Sequence, residues 1–331
     1  MTKMKKILAV GLASVLAVSF AACSKTANDD GTTSGGSKAD TVKTGLAVIS
    51  EIKADEHNPS DTALEIDSVA AAVTVDADGK IVDVKIDEAQ TKPDLTKDNG
   101  NVTDLRTKLA KKEDYAMKAA SPIQKEWYEQ VAAFEAWAKG KTADEVKAGV
   151  DAEGNPTDAD LKAGCTIKAN GFTEVVAKAM ASATDMGAKA TDTLRLSVTT
   201  EKYYESNETN LQYDSNYAAV TFDAEGKITS CLIDASQAKC SIADGKFTVE
   251  KGAYQSKKEL KENYNMKVAS PIEKEWFEQA AAFEVWAKGK TAAEVKAGVG
   301  EDGKPSDADL KAGCTIIVNA IAENVAAAAT V

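Results

Sequence analysis

Apolar and polar residues alternate along Thr44–Lys53 and again along Leu64–Asp76, two stretches rich in valine and isoleucine. Asp78-Gly79 is a hairpin turn signal. Alternation resumes over Lys80–Asp87 with Ile81, Val84 and Ile86. These segments predict an antiparallel meander. The period then changes. Ile123, Trp127, Val131, Phe134 and Ala138 fall on one helical stripe, with Gly140 as its stop. Ser121 as N-cap, Pro122 at the first helical position and Gln124 in a capping box predict where that helix begins. Thr142 with Glu145 opens a short helix ending near Gly149. A last helix is expected over Asn170–Ser182, with Phe172, Val175, Val176, Ala179 and Met180 inward. Strands followed by helices predict an α+β fold, with helices packed on a small antiparallel sheet.

The pattern occurs twice. Residues 118–147 recur as 267–296 with six of thirty positions changed, and 158–167 recur unchanged as 307–316. Residues 71–80 recur as 218–227. The period of 149 residues is too long for a solenoid unit, so the expectation is two tandem domains, 41–185 and 190–331, joined at 186–190. In the second copy the strands are expected at Leu194–Tyr203, Tyr213–Asp223 and Lys227–Asp234. Ser270, Pro271 and Glu273 repeat the helix start.

Ahead of both copies lies an address. Lys3, Lys5 and Lys6 precede a 14-residue apolar run, Ile7–Phe20. That run is shorter than the about 20 residues a spanning helix needs. Phe20-Ala21-Ala22-Cys23 resembles a bacterial lipobox. The resemblance implies a signal peptide over 1–22, a diacylglyceryl anchor on Cys23 and a place on the outer face of the cell membrane. Residues 23–40 are small and polar, which predicts a flexible tether. Gly31–Lys38 is no phosphate loop, because Ser37 precedes Lys38 and no strand leads into it.

Composition removes several function classes. With 40 Lys+Arg against 52 Asp+Glu, the net charge of −12 argues against a nucleic-acid partner. His57 is the only histidine, so neither a Ser/His/Asp constellation nor a multi-histidine zinc site can be assembled. It sits in a polar loop and is expected exposed. Asp151, Glu153 and Asp158 read as a solvated turn rather than a calcium loop, since the glycine is misplaced. Neither catalytic nor metal-ligating residues are assigned. Cys231 and Cys240 belong to the second copy alone, where a disulfide and two buried thiols are both open.

The candidate chemistry lies in the loop 158–167, where Ala163-Gly164-Cys165-Thr166 precedes the last helix. Small residues admit a closely approaching group, and a helix N-terminus favours a phosphate. A tight turn with Thr166 as a cap and Cys165 in the core is the plainer alternative. Trp127 and Trp276 are expected in the core, whereas Trp137 and Trp286 are candidates to stack on a ring.

The strand–turn–strand VTVDADGKIVDVKI (73–86) and the motif Asp160-Leu161-Lys162-Ala163-Gly164-Cys165-Thr166, repeated as Asp309 to Thr315, resemble the FMN-binding domain. That family occurs in flavin-carrying subunits of sodium-pumping NADH:quinone reductase and Rnf-type complexes, and in tandem in surface lipoproteins. The resemblance implies FMN as cofactor, joined through a phosphoester to Thr166 and Thr315 by a separate flavin transferase. It assigns Gly164 and Gly313 to the turn and Asp160 and Asp309 to the leading acid. Ala163 and Ala312 stand where the family has a hydroxyl residue, and Cys165 and Cys314 where it has alanine. The implied role is an extracytoplasmic electron carrier between a membrane reductase and an outer acceptor. The other class kept open is a ligand-binding or structural lipoprotein that retains the fold without covalent cofactor.

Overall fold

The computed structural model describes residues 41–330. The signal peptide, Cys23 and the tether lie outside the described residues. In the first copy, β1 (Lys43–Ala54), β2 (Leu64–Val75) and β3 (Ile81–Thr91) form the expected meander. α1 (Lys108–Lys111), α2 (Trp127–Ala138), α3 (Ala143–Lys147), α4 (Ala159–Gly164) and α5 (Asn170–Ala181) follow. The second copy repeats this with β4 (Thr193–Lys202), β5 (Asn210–Phe222) and β6 (Ile228–Ala243), then the short β7 (Lys246–Phe247) and β8 (Gly252–Tyr254). Its helices are α6 (Lys257–Leu260), α7 (Trp276–Ala287), α8 (Ala292–Ala297), α9 (Ala308–Gly313) and α10 (Asn319–Ala328). The α+β class holds. Among the described residues no helix is long and apolar enough to cross a membrane.

Each sheet is covered on both faces. Ala47, Ala71, Val73 and Ile86 turn to the helices, where they meet Val131, Phe134, Phe172 and Val176. Their neighbours Val48, Ala70 and Ala72 turn the other way and meet Leu194, Leu196, Val198, Tyr217 and Ala219 of the second copy. Farther along the same seam, Ile52, Leu64 and Ile66 meet Leu211, Tyr213 and Phe247. The sheets therefore pack face to face, with each copy's helices outside. The run Ala70-Ala71-Ala72, fully buried, supplies small side chains to both faces.

The copies also exchange backbone. The sheet orders are β3-β2-β1-β8 and β4-β5-β6-β7, so the second copy donates β8 to the first copy's sheet. Ser50, Glu51 and Ile52 pair with Tyr254, Ala253 and Gly252. In return, Gly100 O accepts the Tyr213 hydroxyl at 2.7 Å, and the Val102 N–H donates to the same hydroxyl at 3.2 Å. The segment 186–190 is tied down as well, with Val42 N–H donating to Ala188 O at 3.0 Å.

Two local expectations are corrected. α2 does not start at Ser121-Pro122. Gln124 takes φ 51, and Glu273 takes φ 52 in the second copy, a left-handed conformation that breaks a helix. The helix begins instead behind Glu126, whose side chain makes a reciprocal capping box with Glu129. The stretch 158–167 is not all loop: α4 occupies 159–164. The Asp158 carboxylate caps it, accepting from Asp160 N–H at 2.9 Å and Leu161 N–H at 3.1 Å. With one apolar anchor, Leu161, six residues are too few for a helical period to show.

Candidate cofactor-binding site

α2 carries Trp127, Val131, Phe134 and Ala138 into the core, and Gln130 goes with them, fully buried. A buried amide needs partners for its oxygen and both its N–H groups. Gln130 Oε1 accepts from Thr166 N–H at 2.8 Å, the Thr166 hydroxyl at 3.2 Å and Ile167 N–H at 3.3 Å. Its Nε2 donates to Ser121 Oγ at 3.0 Å and Lys125 O at 3.2 Å. The second copy repeats the clamp. Gln279 Oε1 takes Thr315 N–H at 2.8 Å and its hydroxyl at 3.2 Å. Gln279 Nε2 reaches Ser270 Oγ at 3.0 Å and Lys274 O at 3.1 Å. Ser121 and Ser270 thus serve the glutamine rather than the helix start.

Gly164 and Gly313 work by close approach. A Cβ on Gly164 would lie 2.5 Å from Ala133 Cβ, and one on Gly313 would lie 2.7 Å from Ala282 Cβ. Their absence lets α4 and α9 rest directly on α2 and α7. Gly164 closes α4 with no left-handed turn, so the turn role expected of it is replaced by packing. Cys165 and Cys314 are fully buried core residues, and burial pushes each thiol up to about 11. Asp160, Ala163, Asp309 and Ala312 lie on the exposed side of their short helices. The structure thus joins each threonine to a glutamine and a serine, while the acid and the alanine of the motif face solvent.

The threonines cap nothing. The N-cap position of α5 is Ala169, with no side-chain cap, and Thr166 sits three residues ahead of it, outside any helix or strand. Both threonines are half-buried. This geometry fits a phosphoester. The hydroxyl proton is one of three hydrogen bonds to Gln130 Oε1, so its replacement leaves two backbone N–H groups holding the residue. The Lys274 charge offsets a little of the burial that pushes the Cys314 thiol up.

Trp127 and Trp276 are core residues, as expected, with Trp127 edge-on to Phe172 at 6.0 Å. Trp137 and Trp286 are packing residues too. Their indoles lie against Gly149 and Gly298, where a Cβ would fall within 2.2 and 2.3 Å. Lys141 and Lys290 stand over the rings at 4.8 and 4.7 Å. Cys231 and Cys240 are free thiols in different cores, one under the helices and one between the sheets. Asp151 closes its own turn through Asn155 and Glu153, and His57 is exposed.

Sequence reasoning missed Gln130 and Gln279. The signal was present: a glutamine sits at the i+3 position of an apolar stripe, unchanged in both copies. A cavity of about 1350 Å³ was also unforeseen. It lies in the second copy, with Trp276, Lys257 and Asn319 among its walls, and it includes Ile317, two residues past Thr315.

No curated protein and no solved structure matches the chain. Residues 65–181 match the family model of the FMN-binding domain, a span running from β2 to the end of α5 and enclosing Gln130 and Thr166. The chain therefore carries an FMN-binding domain over residues 65–181, with FMN as its cofactor.

Proposed function

We propose that this protein is a lipid-anchored, extracytoplasmic FMN carrier that relays electrons between a membrane reductase and an outer acceptor. The observation that carries the reading is the threonine clamp, built from the same residues in both copies and enclosed in the first by the FMN-binding domain. FMN supplies the redox chemistry when bound. The chain's residues position it: Gln130 and Gln279 fix the Thr166 and Thr315 backbones at a half-buried corner that a flavin transferase can reach. The alanine and cysteine departures leave this corner intact, because Ala163 is exposed and Cys165 is turned into the core. Cys23 supplies the anchor and residues 24–40 the reach.

A non-covalent cofactor is the second reading. It is favoured by one observation, that each threonine hydroxyl already donates to glutamine. The experiment is purification after co-expression with a flavin transferase. Yellow colour that survives denaturation, and a mass increment lost in Thr166→Ala/Thr315→Ala, is the expected result. Colour lost on denaturation selects the second reading, and a colourless chain overturns both. Cys23→Ser tests the anchor and is expected to release the chain from the membrane fraction.

A further inference from the structure

The two copies part company at one end of their sheets. In the first copy the helix-side face there is closed by charge pairs. Lys53 bridges Glu65 at 3.0 Å and Asp67 at 2.8 Å, Lys92 meets Glu65 at 2.7 Å, and Lys108 meets Glu88 at 2.7 Å. Lys108 also lies 5.1 Å over the Tyr115 ring and 5.8 Å over Trp127. The second copy keeps this lysine and both rings. Lys257 Nζ lies 5.1 Å over Tyr264 and 5.5 Å over Trp276. The carboxylate is gone, because the position of Glu88 is taken by Ala235. Gln212 replaces Glu65, Asn216 replaces Val69, and Ile321 replaces Phe172.

These replacements leave space and an unpaired charge. The cavity of about 1350 Å³ lies here, walled by Ala235, Lys257, Tyr264, Trp276, Asn216 and Gln237 among others. It is ample beside the roughly 300–1,000 Å³ of ordinary small-molecule sites. Among the described residues no carboxylate comes within ion-pair distance of Lys257. Of the acids closest in the fold, Asp214 and Asp234 are engaged elsewhere and Glu201 lines the cavity without reaching Lys257; the wall also carries Glu205, Glu301, Asp302 and Glu323, against Lys202, Lys239 and Lys296. Asp214 accepts the side-chain amides of Gln212 and Gln237, and Asp234 accepts the Ser256 hydroxyl and Lys258 N–H. Burial pulls the Lys257 ammonium below its usual range, an effect that Asp214, Asp234 and Glu201 offset only in part. A half-buried cation of this kind is stabilised by an incoming anion.

We propose that this cavity binds a planar aromatic molecule bearing one anionic group, that group standing where Glu88 stands in the first copy and pairing with Lys257. The Trp276 and Tyr264 side of the cavity takes the ring, and the Asn216 and Gln237 amides meet polar atoms at its edge. The site belongs to the half of the chain beyond residues 65–181, and it goes past the threonine corner.

The test is isothermal titration of the full chain with 2-naphthoate. One equivalent is expected to bind. Lys257→Met is expected to weaken binding about tenfold or more, the scale of one charge-assisted contact. Ala235→Glu installs the first copy's ion pair and is expected to abolish binding while leaving thermal stability unchanged or raised. Lys108→Met and Thr166→Ala/Thr315→Ala are expected to leave it unchanged. FMN as competitor separates this site from that of the cofactor: simultaneous binding of FMN and naphthoate is expected, and displacement of naphthoate by FMN would make the cavity the flavin's own seat and overturn the proposal. Absence of naphthoate binding, or binding indifferent to both Lys257→Met and Ala235→Glu, overturns it. Loss of flavin in the threonine variants with naphthoate binding intact would speak to the carrier reading alone.

Discussion

The side-chain oxygen of Gln130 holds Thr166 twice, through its backbone N–H at 2.8 Å and its hydroxyl at 3.2 Å, and Gln279 does the same for Thr315. A residue of the helix core thereby sets the position of a residue at the surface. Gln130→Leu would leave Thr166 N–H, Ile167 N–H and Ser121 without their partner. Each buried polar group so stranded costs about 1–3 kcal/mol. We expect a loss of about 2–3 kcal/mol in a denaturant melt, part of the exposed corner being recovered by water. Thr166→Ser keeps both bonds and is expected to remain near wild type.

Gly164 is a packing device, so its substitution is expected to act through Ala133. Gly164→Ala forces a Cβ to 2.5 Å from the Ala133 Cβ. Overpacking of this kind costs about 1–3 kcal/mol. Ala133→Gly in the same chain should recover most of the loss, and a double-mutant cycle of melting curves measures that coupling. A purely additive cycle would contradict direct contact.

Stability is expected to rise as pH falls from about 8 to about 5. Burial pushes Asp87 up to about 7, against hydrogen bonds from Thr107, Glu88 N–H and Leu109 N–H. Burial likewise lifts Glu135 to about 7. An acid whose folded pKa lies above its unfolded one stabilises the fold fully below the unfolded value, near 4, and that contribution is lost as pH rises through about 7. Glu65 runs the opposite way: burial disfavours its charge, but Lys92 and Lys53 outweigh this and hold it at about 2, so its contribution fades only in strong acid. Thermal melts across this range check the sign, and Asp87→Asn should flatten the slope.

The first copy is not expected to stand alone. A fragment of residues 41–185 exposes Val48, Ala70 and Ala72, loses the strand β8 and leaves the β1 edge open. Sedimentation should find it self-associated or unfolded. A folded, monomeric fragment would contradict the packing of the two sheets.

How much of this was legible follows from the range of each signal. The meander, α3 and α5 came within a few residues of expectation, because alternation, a DG turn and the Thr142–Glu145 box are contiguous along the chain. The core placement of Trp127 and Trp276 followed from helical spacing. The start of α2 was misjudged because Ser-Pro-x-Gln satisfies a local rule that Gln124 breaks by its left-handed backbone. α4 was too short to show a period.

By itself the sequence determined the duplication, the α+β order of elements and the small-residue motif ending at Thr166 and Thr315. These are statements about neighbours in the chain, where side-chain period and capping chemistry act. Tertiary structure decided what the second face of each sheet meets, that β8 crosses to the other copy's sheet, and that Gln130 reaches 36 residues ahead to Thr166. It also decided that exchanging Glu88 for Ala235 leaves a lysine beside an open cavity. Periodicity tells which residues turn away from water. It does not tell which distant surface receives them, because that depends on shape and charge matched across the assembled fold.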